Sequence, residues 1–229
     1  MQALIQTPCP SLEESLSFYT RLGFKIVSPE NPCVVSDGKA FIEINPDRFA
    51  RAGLKLYKES WKNEIAKLKR SIPVLETENG ALFADRSGVW IYLIEGKAGL
   101  ELKAEENSSS HLGNFAGLSL ETIDIAAAAE VYEILGFNKT MGGPEQGWAA
   151  YQHDSGIGVS LMKPNACPHL FFNPSMTYFN GGKNLPVIAK IKEAGIPITE
   201  GITVFNKEGI VDNVIIRDPG GYGFFIFND

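Results

Sequence analysis

The sequence is poor in cysteine, histidine and long apolar runs. Its three cysteines, Cys9, Cys33 and Cys167, are scattered and form no CxxC pair, which excludes a disulfide framework. Three histidines are too few for a histidine-rich metal cluster. No apolar stretch approaches the roughly 20 residues of a membrane-spanning helix, and the N-terminus lacks the features of a signal peptide. We therefore expect a cytoplasmic location and no membrane partner.

Basic residues are also in the minority. The 229 residues include 21 Lys and Arg against 27 Asp and Glu, for a formal net charge of −6. Because a nucleic-acid-binding surface neutralises phosphates with Lys and Arg, nucleic acid is not expected as a partner. Hydrophobic residues make up 44% of the chain, which is enough for a real core and argues against global disorder.

Two motifs occur twice, in the same order and about half a chain apart. Residues 18–24 (FYTRLGF) are echoed by residues 131–137 (VYEILGF), and residues 85–88 (DRSG) are echoed by residues 218–221 (DPGG). Duplication explains this better than chance. The polar stretch between the halves predicts a linker at 105–113, with an N-terminal domain at 1–104 and a C-terminal domain at 114–229.

Each half reads as strand, helix and three strands, twice over. The first helix is predicted after Ser11, which forms a capping box with Glu14, and Gly23 ends it. The same reading gives four modules, at about residues 1–46, 47–97, 114–165 and 170–229. It also places helices from about Ser60 and over residues 184–195, and short strands at 176–179 and 198–199. The fold class is therefore α+β, with four βαβββ modules.

These motifs resemble the vicinal oxygen chelate superfamily, which includes glyoxalase I, bleomycin-resistance proteins, methylmalonyl-CoA epimerase and extradiol dioxygenases. The resemblance covers nearly the whole chain and implies curled sheets that form U-shaped clefts around a small molecule. Enzymatic members hold a divalent metal in the cleft with His, Gln or Glu side chains. Modules of two chains can share a site in this family, so the resemblance also implies a homodimer as an expectation.

The positions of the metal ligands, transferred by this resemblance, do not carry a ligand set. The first-strand position falls on Leu4 and Gly117, and the closing-strand position falls on Tyr92 and Phe225. The first strands of the second and fourth modules give Arg51 or Ala52, and Ser175 or Thr177. Glu43 matches a fourth-strand carboxylate, where the third module has Ser160. One carboxylate cannot hold a metal that needs three or four donors, so we predict no metal and no cofactor.

Side chains alternate along a strand, so residues in step with these positions should also face the clefts. The residues predicted to bind a ligand are Gln6, Glu43, Trp90, Tyr92, Ser119, Glu121 and Phe225. Aromatic rings with isolated polar groups suit an organic molecule that is held by stacking and a few hydrogen bonds. The leading interpretation is a metal-independent binding protein that sequesters an aromatic antibiotic or xenobiotic.

Two alternatives stay open at this point. One is a metal-dependent lyase, isomerase or dioxygenase with an atypical or dimer-completed site, in which Glu43 is a weak catalytic candidate. The other is a protein without a ligand, whose clefts are filled by their own aromatic side chains. Glu43 can equally be a solvated strand carboxylate or the partner of a lysine, and Trp90 and Tyr92 can equally be core residues.

Overall fold

The computed structural model describes residues 1–30 and 32–228 and shows two eight-stranded sheets. The N-terminal sheet contains β1 (Gln2–Pro8), β2 (Lys25–Ser28), β3 (Cys33–Ser36), β4 (Phe41–Asn45), β5 (Gly53–Lys58), β6 (Leu75–Thr77), β7 (Gly80–Ala84) and β8 (Trp90–Glu95). The C-terminal sheet contains β9 (Asn114–Glu121), β10 (Asn138–Gly143), β11 (Trp148–Gln152), β12 (Gly158–Met162), β13 (Ser175–Phe179), β14 (Glu200–Ile202), β15 (Asn213–Arg217) and β16 (Gly223–Phe227). The helices are α1 (Leu12–Arg21), α2 (Lys62–Leu68), α3 (Ile125–Ile134) and α4 (Asn184–Glu193).

Both sheets have the same topology, which confirms the four βαβββ modules. The strand order is β2-β3-β4-β1-β5-β8-β7-β6 in the N-terminal sheet and β10-β11-β12-β9-β13-β16-β15-β14 in the C-terminal sheet. The first and last strands of each module pair in parallel, as β1 does with β4 and β5 with β8. The two modules of each half meet through an antiparallel pair, β1 with β5 and β9 with β13.

The helix ends follow the local chemistry that the sequence indicates. The Ser11 side chain accepts a hydrogen bond from the Glu14 backbone amide at 3.3 Å, as the capping box predicts. In the second half, Asp124 caps α3 in the same way through the Ala127 amide. Gly23 follows α1 with a φ of +88°, a conformation that glycine adopts without a side-chain clash. None of the helices in the described ranges is long and apolar enough to cross a membrane.

Some predicted boundaries were wrong. Helix α2 begins at Lys62 rather than Ser60, and α4 ends at Glu193 rather than residue 195. The strand predicted at 198–199 lies at Glu200–Ile202, because its pairing with β15 begins where Glu200 faces Ile215. The segment predicted as a linker forms a hydrogen bond with the first half, since the Glu105 amide donates to the Gly38 carbonyl at 2.6 Å. The division into domains at 1–104 and 114–229 stays a prediction about independent folding.

One hydrophobic core joins the two halves. It contains helix side chains of the first half, such as Phe18 and Tyr19, together with strand side chains of the second half, such as Phe224. The Phe18 and Phe224 ring centroids lie 5.7 Å apart, and the Tyr19 and Phe224 centroids lie 6.2 Å apart. The helices therefore pack between the halves. The opposite face of each sheet, which we call its outer face, is left for other contacts.

The repeated motifs hold the halves together through two buried tyrosine–aspartate hydrogen bonds. The Tyr19 hydroxyl donates to Asp218 Oδ2 at 2.8 Å, and the Thr7 hydroxyl donates to the same oxygen at 2.6 Å. In the mirrored position, the Tyr132 hydroxyl donates to Asp85 Oδ2 at 2.6 Å. Burial raises the pKa of Asp218 and of both tyrosines above their usual values. The two echoes in the sequence thus have a shared structural role.

Candidate functional site

The outer faces carry the positions where the sequence analysis placed the clefts. Strand pairing puts Leu4, Lys55 and Tyr92 in one row across the N-terminal sheet. The equivalent row of the C-terminal sheet is Gly117, Thr177 and Phe225. The expectation that Arg51 or Ala52 occupies the middle position of the N-terminal row was wrong, because both residues precede β5. Lys55 takes that position, and the sequence reasoning missed it.

Lys55 and Glu43 form a bidentate ion pair at the centre of the N-terminal outer face. The ammonium nitrogen Nζ lies 2.7 Å from Glu43 Oε1 and 2.8 Å from Oε2, and only 13% and 6% of the two side chains are exposed. The Tyr92 ring lies 5.8 Å from the same ammonium. Burial, and secondarily the charge of Glu43, raise the pKa of Tyr57. Both carboxylate oxygens of Glu43 are therefore already engaged by a cation.

The segment after β8 covers part of this face. Ala98, Leu100 and Leu102 pack into a small cluster with Leu4 and Tyr57. Backbone contacts fix the segment, since the Ala98 amide donates to the Gln2 side-chain oxygen at 3.0 Å. The segment covers only part of the face, which also holds a polar cavity of about 590 Å³ lined by Glu43, Lys55 and Tyr57.

The other predicted residues of the N-terminal sheet also have protein partners. Gln6 is 1% exposed, its amide nitrogen donates to the Arg51 carbonyl, and its amide oxygen accepts from Asn45, both at 2.8 Å. Trp90 is half-buried on the outer face and pairs with Gly53 across β5 and β8. The Gln6 amide is thus fully engaged within the protein.

The C-terminal outer face contains a cavity of about 460 Å³. Its walls are largely apolar, and Trp148 stands partly exposed, at 38%, among them. No charged side chain lines it among the residues that the structure describes. The side chains that form its walls and floor include Ser119, Met141, Trp148, Ala150, Ser160, Met162, Cys167, Thr177, Phe179, Phe225 and Phe227. We call it the outer cavity.

Several hydroxyl groups and the Gln152 carboxamide form the polar part of the outer cavity. The Ser119 and Thr177 hydroxyl oxygens lie 2.6 Å apart, so one hydroxyl donates a hydrogen bond to the other. The second hydroxyl can still donate to a ligand, and both oxygens can accept a hydrogen bond from one. Ser160 lies next to Ser119 across the β9–β12 pair and is half-buried. These groups can orient an organic ligand through hydrogen bonds but carry no charge at neutral pH.

Of the three predicted residues in this half, Ser119 and Phe225 line the outer cavity and Glu121 does not. Glu121 lies at the end of β9, and its carboxylate accepts from the Asn165 amide at 3.2 Å, which holds it in a loop contact. Sequence reasoning missed Trp148 and Phe179. Phe179 could have been predicted from the sequence, because it alternates in step with Thr177 on β13. Trp148 could not, because its position depends on how the β10–β11 hairpin pairs with the rest of the sheet.

Solved structures with the same fold are extradiol dioxygenases and a glyoxalase. The 2,3-dioxygenase LapB from Pseudomonas is 14% identical, with a TM-score of 0.58 over 100% of this chain and 92% of its own. The Mn(II)-bound glyoxalase from Novosphingobium aromaticivorans is 14% identical, with a TM-score of 0.57 over 97% of this chain and 79% of its own. The 2,2',3-trihydroxybiphenyl 1,2-dioxygenase from Sphingomonas wittichii is 15% identical, with a TM-score of 0.53 over 97% and 88%.

The chain therefore has the same tandem fold as these dioxygenases and this glyoxalase. No protein-family model and no curated protein matches its sequence.

The residues at the cleft positions do not fit a divalent metal. The N-terminal row offers an apolar side chain, an ammonium and a phenol, and the C-terminal row offers a glycine, a hydroxyl and a phenyl ring. An ammonium repels a cation, and phenyl rings carry no donor atom. Within residues 1–30 and 32–228, no group of three or more His, Cys, Asp or Glu side chains is placed to share an ion. No chemical step through a metal follows from this arrangement.

Proposed function

We propose that this protein binds a small, partly aromatic organic molecule in the outer cavity and sequesters it without a metal. The observation that carries the proposal is the difference between the two outer faces. The cavity on one face is polar and holds an ion pair, and the cavity on the other is apolar and ring-lined, with a few polar groups. Concave apolar sites with sparse polar groups are typical of organic-ligand binding.

The walls of the outer cavity provide the affinity in this proposal. A ligand ring the size of an aromatic side chain buries about 150–250 Å². At about 25 cal/mol per Å², that burial contributes about 4–6 kcal/mol before the cost of association. The Ser119–Thr177 pair then selects the orientation, since a ligand polar group that cannot reach a hydroxyl loses its hydrogen bonds to water.

The N-terminal sheet is structural in this proposal. Glu43, Gln6, Trp90 and Tyr92 hold the covered face together instead of contacting a ligand. The rival interpretation, a metal-dependent enzyme that uses Glu43, requires the carboxylate to leave Lys55 before it can act on a metal or a proton.

The test uses 1-naphthalenemethanol, a neutral aromatic alcohol, as the probe. We expect calorimetry to show binding of one equivalent, and we expect the fluorescence of Trp148 to change on binding. Ala150→Phe places a ring inside the outer cavity and should weaken binding by at least about tenfold, because the ring occupies the ligand volume. The matched control, Trp90→Phe, alters the other outer face and should retain both binding and the fluorescence change.

Two results would overturn the proposal. The first is binding that Ala150→Phe leaves unchanged, because the ligand would then lie elsewhere. The second is a near-equimolar divalent metal that survives dialysis, together with a metal-dependent activity on hemithioacetals or catechols that Glu43→Ala abolishes. That second result would favour the enzyme.

We also propose a cytoplasmic location and a homodimer, on the grounds given by the sequence and the family resemblance. Cell fractionation tests the first. Light scattering across protein concentrations tests the second, and a monomer at every concentration would overturn it.

A further inference from the structure

A second cavity, of about 400 Å³, lies beside the outer cavity. The two share Cys167, Phe179 and Phe227 as a common boundary. Its lining differs, because a carboxylate and a group of aromatic rings face the same space. The residues that line this cavity, which we call the side cavity, are Cys167, His169, Phe179, Phe205, Asp212, Asn213, Phe227 and Asn228.

Asp212 is a largely buried residue, and its carboxylate has no cationic partner in the described part of the chain. The residue is 6% exposed, and Oδ1 accepts a hydrogen bond from the Asn213 side-chain amide at 2.8 Å. Among the described residues, no group donates to Oδ2, and none of the ion pairs includes Asp212. His169 lines the same cavity but forms no ion pair with it. A buried carboxylate without a counter-charge is costly, and its natural complement is a cation.

Aromatic rings surround the same space. Phe227 is at the centre, with ring centroids 5.4 Å from His169, 6.3 Å from Phe205 and 6.4 Å from Phe179. The ring faces carry the negative end of the aromatic quadrupole, so they attract a cation that is placed over them. Aromatic rings around an acidic group form the arrangement that recognises alkylammonium ions.

We propose that the side cavity binds the ammonium group of an organic cation, with Asp212 as its counter-charge. The inference rests on the proposed function in one respect, since the aromatic body of the same ligand is expected in the outer cavity. The shared boundary allows one molecule to occupy both cavities, with the ring against Trp148 and the amine against Asp212. The ligand class is thus an aromatic amine that is protonated at neutral pH.

The charges of the lining support a cation over an anion. Among the described residues, Asp212 is the one acidic side chain that lines either cavity, and no lysine or arginine lines them. An anionic ligand would be desolvated beside a carboxylate and rings that repel it. A neutral ligand would leave the Asp212 carboxylate without a charge partner.

The experiment compares two probes of the same shape at pH 7. These are 1-naphthylmethylamine, which carries an ammonium, and 1-naphthalenemethanol, which is neutral. We expect the amine to bind the wild-type protein at least about tenfold more tightly, as one charge-assisted hydrogen bond allows. Asp212→Asn keeps the size of the side chain and its acceptor for Asn213. It should remove this preference and leave the affinity for the alcohol unchanged.

A second pair of variants tests the rings. Phe205 is 55% exposed, so Phe205→Leu should fold normally and should weaken amine binding by about threefold or more. Phe49→Leu, at a position 84% exposed in the first half, is the matched control and should change neither affinity.

The outcomes separate the two proposals. Equal binding of both probes, unchanged by Asp212→Asn, would overturn the cation site and leave the aromatic-binding proposal standing. Binding of the amine alone, lost in Asp212→Asn, would support the cation site and count against the apolar cavity as the main source of affinity. Binding of neither probe would overturn both.

Discussion

The Glu43–Lys55 ion pair offers a direct test of whether the N-terminal sheet is structural or catalytic. Glu43→Gln removes the counter-charge from an ammonium whose side chain is 13% exposed and leaves it facing a neutral amide. Breaking a fully buried pair costs about 3–5 kcal/mol. Because Lys55 keeps some contact with water, we expect a loss of about 2–3 kcal/mol in the free energy of unfolding. In a chain of this size, that lowers the melting temperature by about 4–12 °C.

Urea denaturation followed by circular dichroism measures this loss. The control is Glu76→Gln, which removes the acid of an ion pair with Lys69 whose side chains are 59% and 44% exposed. That variant should change stability by less than about 1 kcal/mol. The double variant Glu43→Leu/Lys55→Met should recover most of the loss, because two apolar side chains need no counter-charge.

The reasoning would be refuted if Glu43→Gln unfolds at the same urea concentration as Glu76→Gln. A Glu43→Gln protein of wild-type stability that loses a metal-dependent activity would instead identify Glu43 as a functional acid. Ligand binding in the outer cavity should be unaffected by any of these variants, since the ion pair lies on the other sheet.

Three further predictions concern the fold. Tyr132→Phe should lower the free energy of unfolding by about 2–3 kcal/mol, and Tyr19→Phe should lower it by about 1–2 kcal/mol. The difference is expected because, among the described residues, Tyr132 is the one donor to Asp85 Oδ2, whereas the Thr7 hydroxyl also donates to Asp218 Oδ2. Equal urea midpoints for the two variants would contradict this prediction. Burial raises the pKa of Asp218 in the folded protein, so its carboxyl ionises at lower pH in the unfolded chain. The stability of the wild-type protein should therefore fall relative to that of Asp218→Asn as the pH rises from about 4 through the raised pKa. Parallel pH profiles of stability would count against this prediction. Leu100→Asp should expose the N-terminal outer face and lower the free energy of unfolding by about 1–2 kcal/mol. Amide hydrogen exchange in the strands of that face should then increase. Unchanged exchange would show that the segment does not cover the face.

The module architecture was predictable because it rests on local signals. The Ser11 cap, the glycine of each LGF motif and the alternation in β1 and β8 each act within a few residues, where sequence patterns are most informative. Alternation also placed Ser119 and Phe225 on the correct face of the C-terminal sheet. It failed for Lys55, because the ligand position transferred from the family fell on Arg51 or Ala52, before β5 begins at Gly53.

The candidate site was less predictable, because it depends on contacts between distant residues. Asp212 and His169 line one cavity although 43 positions separate them, and neither carries a motif. Glu121 alternates in step with Ser119, which lines the outer cavity, but its carboxylate contacts the loop at Asn165 beyond the end of the strand. Both results depend on loop paths that no local pattern specifies.

By itself, the sequence determines a duplicated chain of four βαβββ modules whose cleft positions lack a metal-ligand set, because motif echoes, capping residues and residue identities are all local properties. The tertiary structure decides that the two halves differ: the path of the segment after β8 brings Ala98, Leu100 and Leu102 over one outer face, whereas aromatic side chains line an apolar cavity on the other. The same packing turns the two repeated motifs into tyrosine–aspartate contacts between the halves. Both outcomes follow from which distant surfaces meet, and burial of apolar area and satisfaction of buried polar groups across the whole chain decide that.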